Sequence, residues 1–286
     1  MMRKRIKIIL GMLIIIIFSF NFIGFAATSQ EIAENTFPSV VLMLMRDKNN
    51  QPLSLGSGFF VEDNIVATNL HVLNNAQNGY VKVVGKDKKY SIEGILASDE
   101  KRDLALVKIE GDGFPVLPKG NSTSLSVGEK VYAAGNPMGL EGTFSDGIIS
   151  GIRQFEEGSL LQITAPISPG SSGGPILNQE GKVIGLAVAT YQDGQNLNFA
   201  VPVEYLNELL KNKSSNINPL SEQKIDDNVA YDFGNKSIEG VEVIQFRFDE
   251  LLPMYSFSIL NNTERDIKNI DYIVIFYDDS GRPIES

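Results

Sequence analysis

An all-β fold, barrel or sandwich, is what this sequence predicts, on three observations. Short runs of apolar and β-branched residues recur at even intervals, separated by charged or glycine-containing turns. Only one segment, Val203 to Lys213, carries a convincing helical repeat. The hydrophobic fraction of 43% over 286 residues is ample for a packed core, in one or two domains.

Met1 to Ala27 has the layout of an export signal. Arg3, Lys4, Arg5 and Lys7 make a basic start, Ile8 to Phe18 is apolar, and small residues close it at Ala26 or Ala27. An uncleaved anchor over residues 8–25 is the competing reading, since that stretch approaches a membrane span in length; Asn21 and the alanines favour cleavage. In both cases the positive residues stay inside and the remainder is expected outside the cytoplasm.

Ser29 to Asn35 gives a faint helical signal. Ser39 to Met45 reads as a buried strand, and Gly56 to Val61 with Ile65 to Thr68 as a hairpin around Glu62-Asp63-Asn64. Gly56 and Gly58 are half of a dinucleotide fingerprint, but no third glycine follows at the needed spacing and no helix opens there. Strands are expected at Tyr80–Val84, Tyr90–Ala97, Leu104–Ile109, Val127–Ala134, Gly147–Ile152, Leu160–Ile163, Val183–Ala189 and Leu197–Val201. In the helix, Tyr205, Leu206, Leu209 and Leu210 share a face and Pro202 lies just before its start.

Residues 213–229 are polar and read as a linker. From about Ala230 a small β module follows, with strands at Val241–Phe248, Tyr255–Leu260 and Ile270–Tyr277. Its D-S-G at 279–281 is a turn, because an aspartic protease needs two such loops and only one is present.

Composition removes several function classes. With no cysteine there is neither a disulfide nor a cysteine nucleophile. One histidine argues against a zinc hydrolase, and no metal or other cofactor is expected. The formal charge is −10, and loss of the signal would leave 21 Lys+Arg against 35 Asp+Glu, a charge of −14. Such a surface repels nucleic acid and anionic membranes, so the N-terminal segment is the only expected membrane contact.

The chemistry centres on Ile163 to Ile176, I-T-A-P-I-S-P-G-S-S-G-G-P-I. Ser172 sits between Gly170 and Gly173-Gly174, and a serine hydroxyl becomes a nucleophile only with a base beside it and donors for the oxyanion it creates. The sole histidine, His71, lies upstream in A-T-N-L-H-V, and Asp103 opens D-L-A-L-V-K-I between them. Gly170, Ser172 and Gly174 also fit G-x-S-x-G, but an α/β-hydrolase places its histidine after the serine, and none follows here. A subtilisin order needs an aspartate before the histidine; Asp47 and Asp63 are available, without a matching context. The order His, Asp, Ser of the chymotrypsin type is left.

Three blocks, G-S-G-F-F-V with A-T-N-L-H-V, R-D-L-A-L-V-K-I and A-P-I-S-P-G-S-S-G-G-P, together resemble the trypsin-like serine proteases of the HtrA/DegP type. G-N-P-M-G-L at 135–140 and N-F-A-V-P at 198–202 also fit, and the resemblance covers roughly residues 30–212. It implies two six-stranded antiparallel barrels closed by a C-terminal helix, a protease domain over 28–212, and catalytic roles for His71, Asp103 and Ser172. It also implies an oxyanion hole from the N–H groups of Gly170 and Ser172. A substrate pocket is implied with its base at Pro166 and Ile167 and its walls at Ala187, Val188 and Ala189. None of these five is a carboxylate, so small or medium apolar residues are expected at the cleaved position. Ser171 stands where the family often has asparagine, and Leu70 also departs from the commoner residue.

The expected partners are polypeptide substrates, misfolded or surface proteins among them, and the family includes homotrimers. Residues 230–286 resemble the small extracellular FxLYD-like modules, in incomplete form, rather than the PDZ module that often follows such a protease. The alternative is a catalytically silent protease fold used for binding or adhesion.

Overall fold

Short apolar and β-branched runs, buried along most of their length, make the strands of this fold, as in Ile65–Thr68 and Leu104–Ile109. The computed structural model describes residues 27–155, 158–190, 197–222, 241–249 and 254–261. The proposed signal or anchor, the third C-terminal strand and the end of the proposed linker lie outside these residues. The chain separates into two compact units, residues 1–226 and 227–286.

Within the first unit the strands close into two antiparallel barrels of six. The first takes β1 (Val40–Arg46), β2 (Pro52–Glu62), β3 (Ile65–Thr68), β4 (Asn78–Val83), β5 (Lys89–Asp99) and β6 (Leu104–Ile109), in the order β1-β2-β3-β6-β5-β4. The second takes β7 (Lys130–Gly135), β8 (Thr143–Phe155), β9 (Gly158–Ile163), β10 (Pro175–Leu177), β11 (Val183–Thr190) and β12 (Asn198–Pro202), in the order β10-β11-β12-β9-β8-β7. Closure removes the free edges that an open sheet exposes.

Each barrel has its own core. Met43, Met45, Phe60, Val66, Leu73, Val81 and Val107 fill the first, and Val131, Ile149, Leu161, Ile163, Ile176 and Ile184 the second. Burying one such side chain contributes about 1.5–3 kcal/mol.

The faint helix at 29–35 is real, as α1 (Ser29–Thr36), and its cause is local. Thr28 Oγ1 accepts from the Glu31 N–H at 3.2 Å and Glu31 accepts from the Thr28 N–H at 2.8 Å, a reciprocal capping box. Ile32 and Thr36 are its buried side. Residues after the second barrel form α2 (Val203–Lys211), which ends two residues before the sequence pattern suggests.

Helix α2 bridges the barrels. Tyr205 Oη accepts from the Ser159 N–H of β9 at 2.9 Å, and its ring lies 4.2 Å from the Arg102 guanidinium of the first barrel. Arg102 also pairs with Asp99 at 2.8 Å, which pins the loop leading into Asp103.

The segment expected as a linker begins docked on the first barrel. The Ser214 N–H donates to Leu96 O at 2.9 Å, Asn218 and Ile95 exchange two backbone hydrogen bonds, and Leu220 enters the first core. In the second unit β13 (Val241–Asp249) and β14 (Met254–Asn261) pair antiparallel, at the places where strands are expected.

Candidate active site

The first barrel supplies an imidazole and a carboxylate. After β3 the chain makes one short helical turn, Leu70–Leu73, in which Leu70, Val72 and Leu73 are buried and hold His71 at the surface of the turn. Its side chain keeps 44% exposure against 9% for Asp103. Asp103 stands just before β6 with φ of 53°, a left-handed conformation that aspartate tolerates better than most residues. That turn aims its carboxylate back at the histidine. One oxygen accepts from the His71 backbone N–H at 2.8 Å and the other lies 2.5 Å from His71 Nδ1.

The carboxylate therefore accepts the Nδ1–H hydrogen bond, which keeps the proton on Nδ1 and leaves Nε2 as the basic nitrogen. Burial pulls the pKa of His71 down, but the charge of Asp103 and its hydrogen bond outweigh that, and the net shift is upward. Among the described residues Asp103 is the ionisable group that raises it, and the neighbouring Arg102 guanidinium pairs with Asp99.

A protonated ring cannot accept the serine proton, so activity should persist above the raised pKa and fall as pH drops through it. The acid inflection of kcat/KM is expected above the ordinary imidazole value of about 6.5. A pH–rate profile with its acid inflection below that value contradicts the pairing.

The second barrel supplies the serine loop, which packs against the histidine block. Gly173 has φ of 84°, and a Cβ there would stand 2.2 Å from Ser57 O, 2.4 Å from Thr68 Oγ1 and 3.0 Å from the Asn69 nitrogen. Only glycine fits so close to residues two positions from His71. Gly170 has φ of 93°. Among the described residues neither Gly170 nor Ser172 donates its N–H to a backbone acceptor. The Ser172 carbonyl is held by the Ser57 N–H at 2.8 Å.

Of the residues expected in a substrate pocket, Pro166, Ile167 and Ala187 line one cavity of about 110 Å³, together with Ser168, Ser171 and the β7 residues Ala133, Ala134 and Gly135. Val188 is 7% exposed and is not part of that lining. The Ala189 side chain lies outside the described residues. Ser171, at the position where asparagine is common, is buried with Oγ accepting from the Ser168 N–H at 3.3 Å. Among the described residues no cluster of three His, Asp or Glu side chains has the arrangement of a metal site.

Several polar residues at this site carry no signal of their own in the sequence. Asn69, fully buried, donates from Nδ2 to Asp103 O at 2.8 Å, and the Leu70 N–H donates to the same oxygen at 3.2 Å. Ser57 and Asn136 are also fully buried and meet at the serine loop. The motifs G-S-G and G-N-P mark these places, but not the hydrogen bonds made there.

Two closed six-stranded barrels with this polar group define a trypsin-like peptidase domain, and residues 56–186 match the family model of that description. The chain carries such a domain of the HtrA/DegP type. It is 39% identical over 166 residues to the putative serine protease HhoB of Synechocystis sp., covering 55% of this chain and 39% of that protein. It is 38% identical over 159 residues to a probable periplasmic serine endoprotease DegP-like of Hahella chejuensis, covering 53% of this chain and 34% of that protein. The chain thus spans well under half the length of these relatives.

Among solved structures, the HtrA-type protease AlgW with a tripeptide superposes with a TM-score of 0.60 at 26% identity, covering 65% of this chain and 63% of that one. Deg5 superposes with a TM-score of 0.54 at 30% identity, covering 62% of this chain and 89% of that one.

Proposed function

We propose that the chain is a serine endopeptidase that works through an acyl-enzyme. The observation that carries this reading is the His71–Asp103 pair, set beside a glycine-bounded serine loop. Ser172 Oγ attacks a peptide carbonyl while His71 Nε2 takes its proton, giving a tetrahedral oxyanion held by the Gly170 and Ser172 N–H groups. The C–N bond then breaks, and the imidazolium returns its proton to the leaving amine. Water, deprotonated by the same imidazole, hydrolyses the ester and frees Ser172. Asp103 orients the ring and stabilises its charged form.

Unfolded or surface-exposed polypeptides are the proposed substrates, with small or medium apolar residues at the cleaved position. Supporting this, no carboxylate is present among Pro166, Ile167, Ala187, Val188 and Ala189 to pair with a Lys or Arg side chain. One methylene in such a pocket discriminates by only about 1–3 kcal/mol, so the preference should be broad. In a fluorogenic peptide series, Val and Ala at the cleaved position are expected to exceed Arg in kcat/KM. Faster cleavage after Arg would overturn this specificity. The proposed location is outside the cytoplasm, in keeping with the basic-then-apolar start of the chain and with relatives named periplasmic.

A further inference from the structure

The first and second barrels meet at a residue whose motif the catalytic assignment leaves unused. Ser57, in β2, is fully buried. Its backbone N–H donates to Ser172 O at 2.8 Å. Its hydroxyl donates to Gly170 O at 2.7 Å and accepts from the Asn136 N–H at 2.8 Å, with Asn136 Nδ2 at 3.3 Å. Its own carbonyl accepts from Thr68 Oγ1 at 2.8 Å. The space is closed on another side by Gly135, where a Cβ would come within 3.1 Å of Ser57 Oγ and 3.4 Å of Ser171 Cα.

We propose that Ser57 is a positioning residue for the oxyanion hole, holding the backbone of Gly170 and Ser172 from the first barrel so that their N–H groups converge. It touches no substrate. Its effect passes through the chain Asn136 N–H to Ser57 O–H to Gly170 carbonyl, in which each hydrogen bond polarises the next. This ties G-S-G at 56–58 and G-N-P at 135–137 to the serine loop, three separate motifs meeting on one hydroxyl. Without it, the Gly170 carbonyl and the Asn136 N–H lose their partner in a buried site, and the Gly170–Ser171 peptide is held only on its other side, by the Ser171 N–H bond to Ser168 O at 2.8 Å. Only the transition state, which carries the oxyanion, should register the loss.

The inference rests on the serine endopeptidase reading, and its test separates the two. Wild type, S172A, S57A and S57C are compared for kcat, KM and inhibition by a peptide aldehyde, whose carbonyl adds to the serine oxygen and forms an oxyanion. The corresponding peptide amide serves as the ground-state control. Sites are counted by endpoint labelling with a fluorophosphonate, so that unfolded protein does not enter the rates.

S57A is expected to lose about 10- to 100-fold in kcat per labelled site with KM little changed. Aldehyde affinity should fall by a similar factor while amide affinity holds. S57C, which keeps a weak donor, should lie between S57A and wild type. A merely structural role would lower the midpoint of unfolding and the number of labelled sites, with the rate per site intact. Wild-type kcat and aldehyde affinity in S57A overturn the proposal. If S57A does not fold, wild-type values in folded S57C overturn it instead. A wild-type enzyme that neither labels nor cleaves overturns the endopeptidase reading itself.

Discussion

Changing Ser172 to alanine is expected to lower kcat by about 10⁶, and H71A by a similar factor. In the proposed mechanism the two residues act as one unit, since the hydroxyl attacks only as its proton leaves for the imidazole. The double variant S172A/H71A should therefore be no slower than either single one. Residual catalysis of about 10³–10⁴ over water is expected from the oxyanion donors and substrate binding alone. The assay is release of peptides from casein together with a fluorogenic peptide, at a pH above the His71 inflection. Neither substitution disturbs a core: Ser172 is partly exposed and the His71 side chain is 44% exposed. Undiminished activity in S172A would remove the assigned nucleophile.

Replacing Asp103 with asparagine is the second large effect. Asparagine tolerates the left-handed backbone at φ of 53°, so the turn should survive. The backbone carbonyl keeps its bonds from Leu70 and Asn69, which use main chain and not the carboxylate. What changes is the partner of His71 Nδ1: an amide can no longer supply two acceptor oxygens to the backbone N–H and the ring together. The ring is then held in the wrong tautomer or left unheld, and kcat should fall about 10⁴-fold with little change in unfolding midpoint. The raised His71 pKa should also drop, because the charge and hydrogen bond that raise it are gone. A D103N enzyme with wild-type kcat would show that another group orients the ring.

Much of the fold was legible because short apolar, β-branched runs and the turn residues between them are local signals. The hairpin at Glu62-Asp63-Asn64 and the strands from Leu104 and Val183 stand where the sequence places them. The three-residue strand β10, Pro175–Leu177, was not legible. It is too short to show a period, and it exists because β7 and β11 offer it backbone partners on both sides.

The site shows the same divide. A lone histidine, an aspartate before a strand and a serine among glycines stand out as candidates by residue type and order. Asn69 and Ser57 do not, since what they do depends on partners 34 and 113 residues away, Asp103 and Gly170. Residues 214–220 read as a linker from their polarity, and what polarity does not show is that Leu220 and backbone hydrogen bonds to Leu96 and Ile95 fasten them to the first barrel.

Labelling with a fluorophosphonate probe tests the central claim most directly, because the phosphorus is attacked only by a serine whose proton has a base to go to. Folded wild-type protein should take up one probe per chain, located on Ser172 by peptide mass. S172A should take up none, and H71A should label slower by orders of magnitude. Folded wild-type protein that stays unlabelled, or that carries the probe on another serine, would contradict the assignment and favour a protease fold kept for binding.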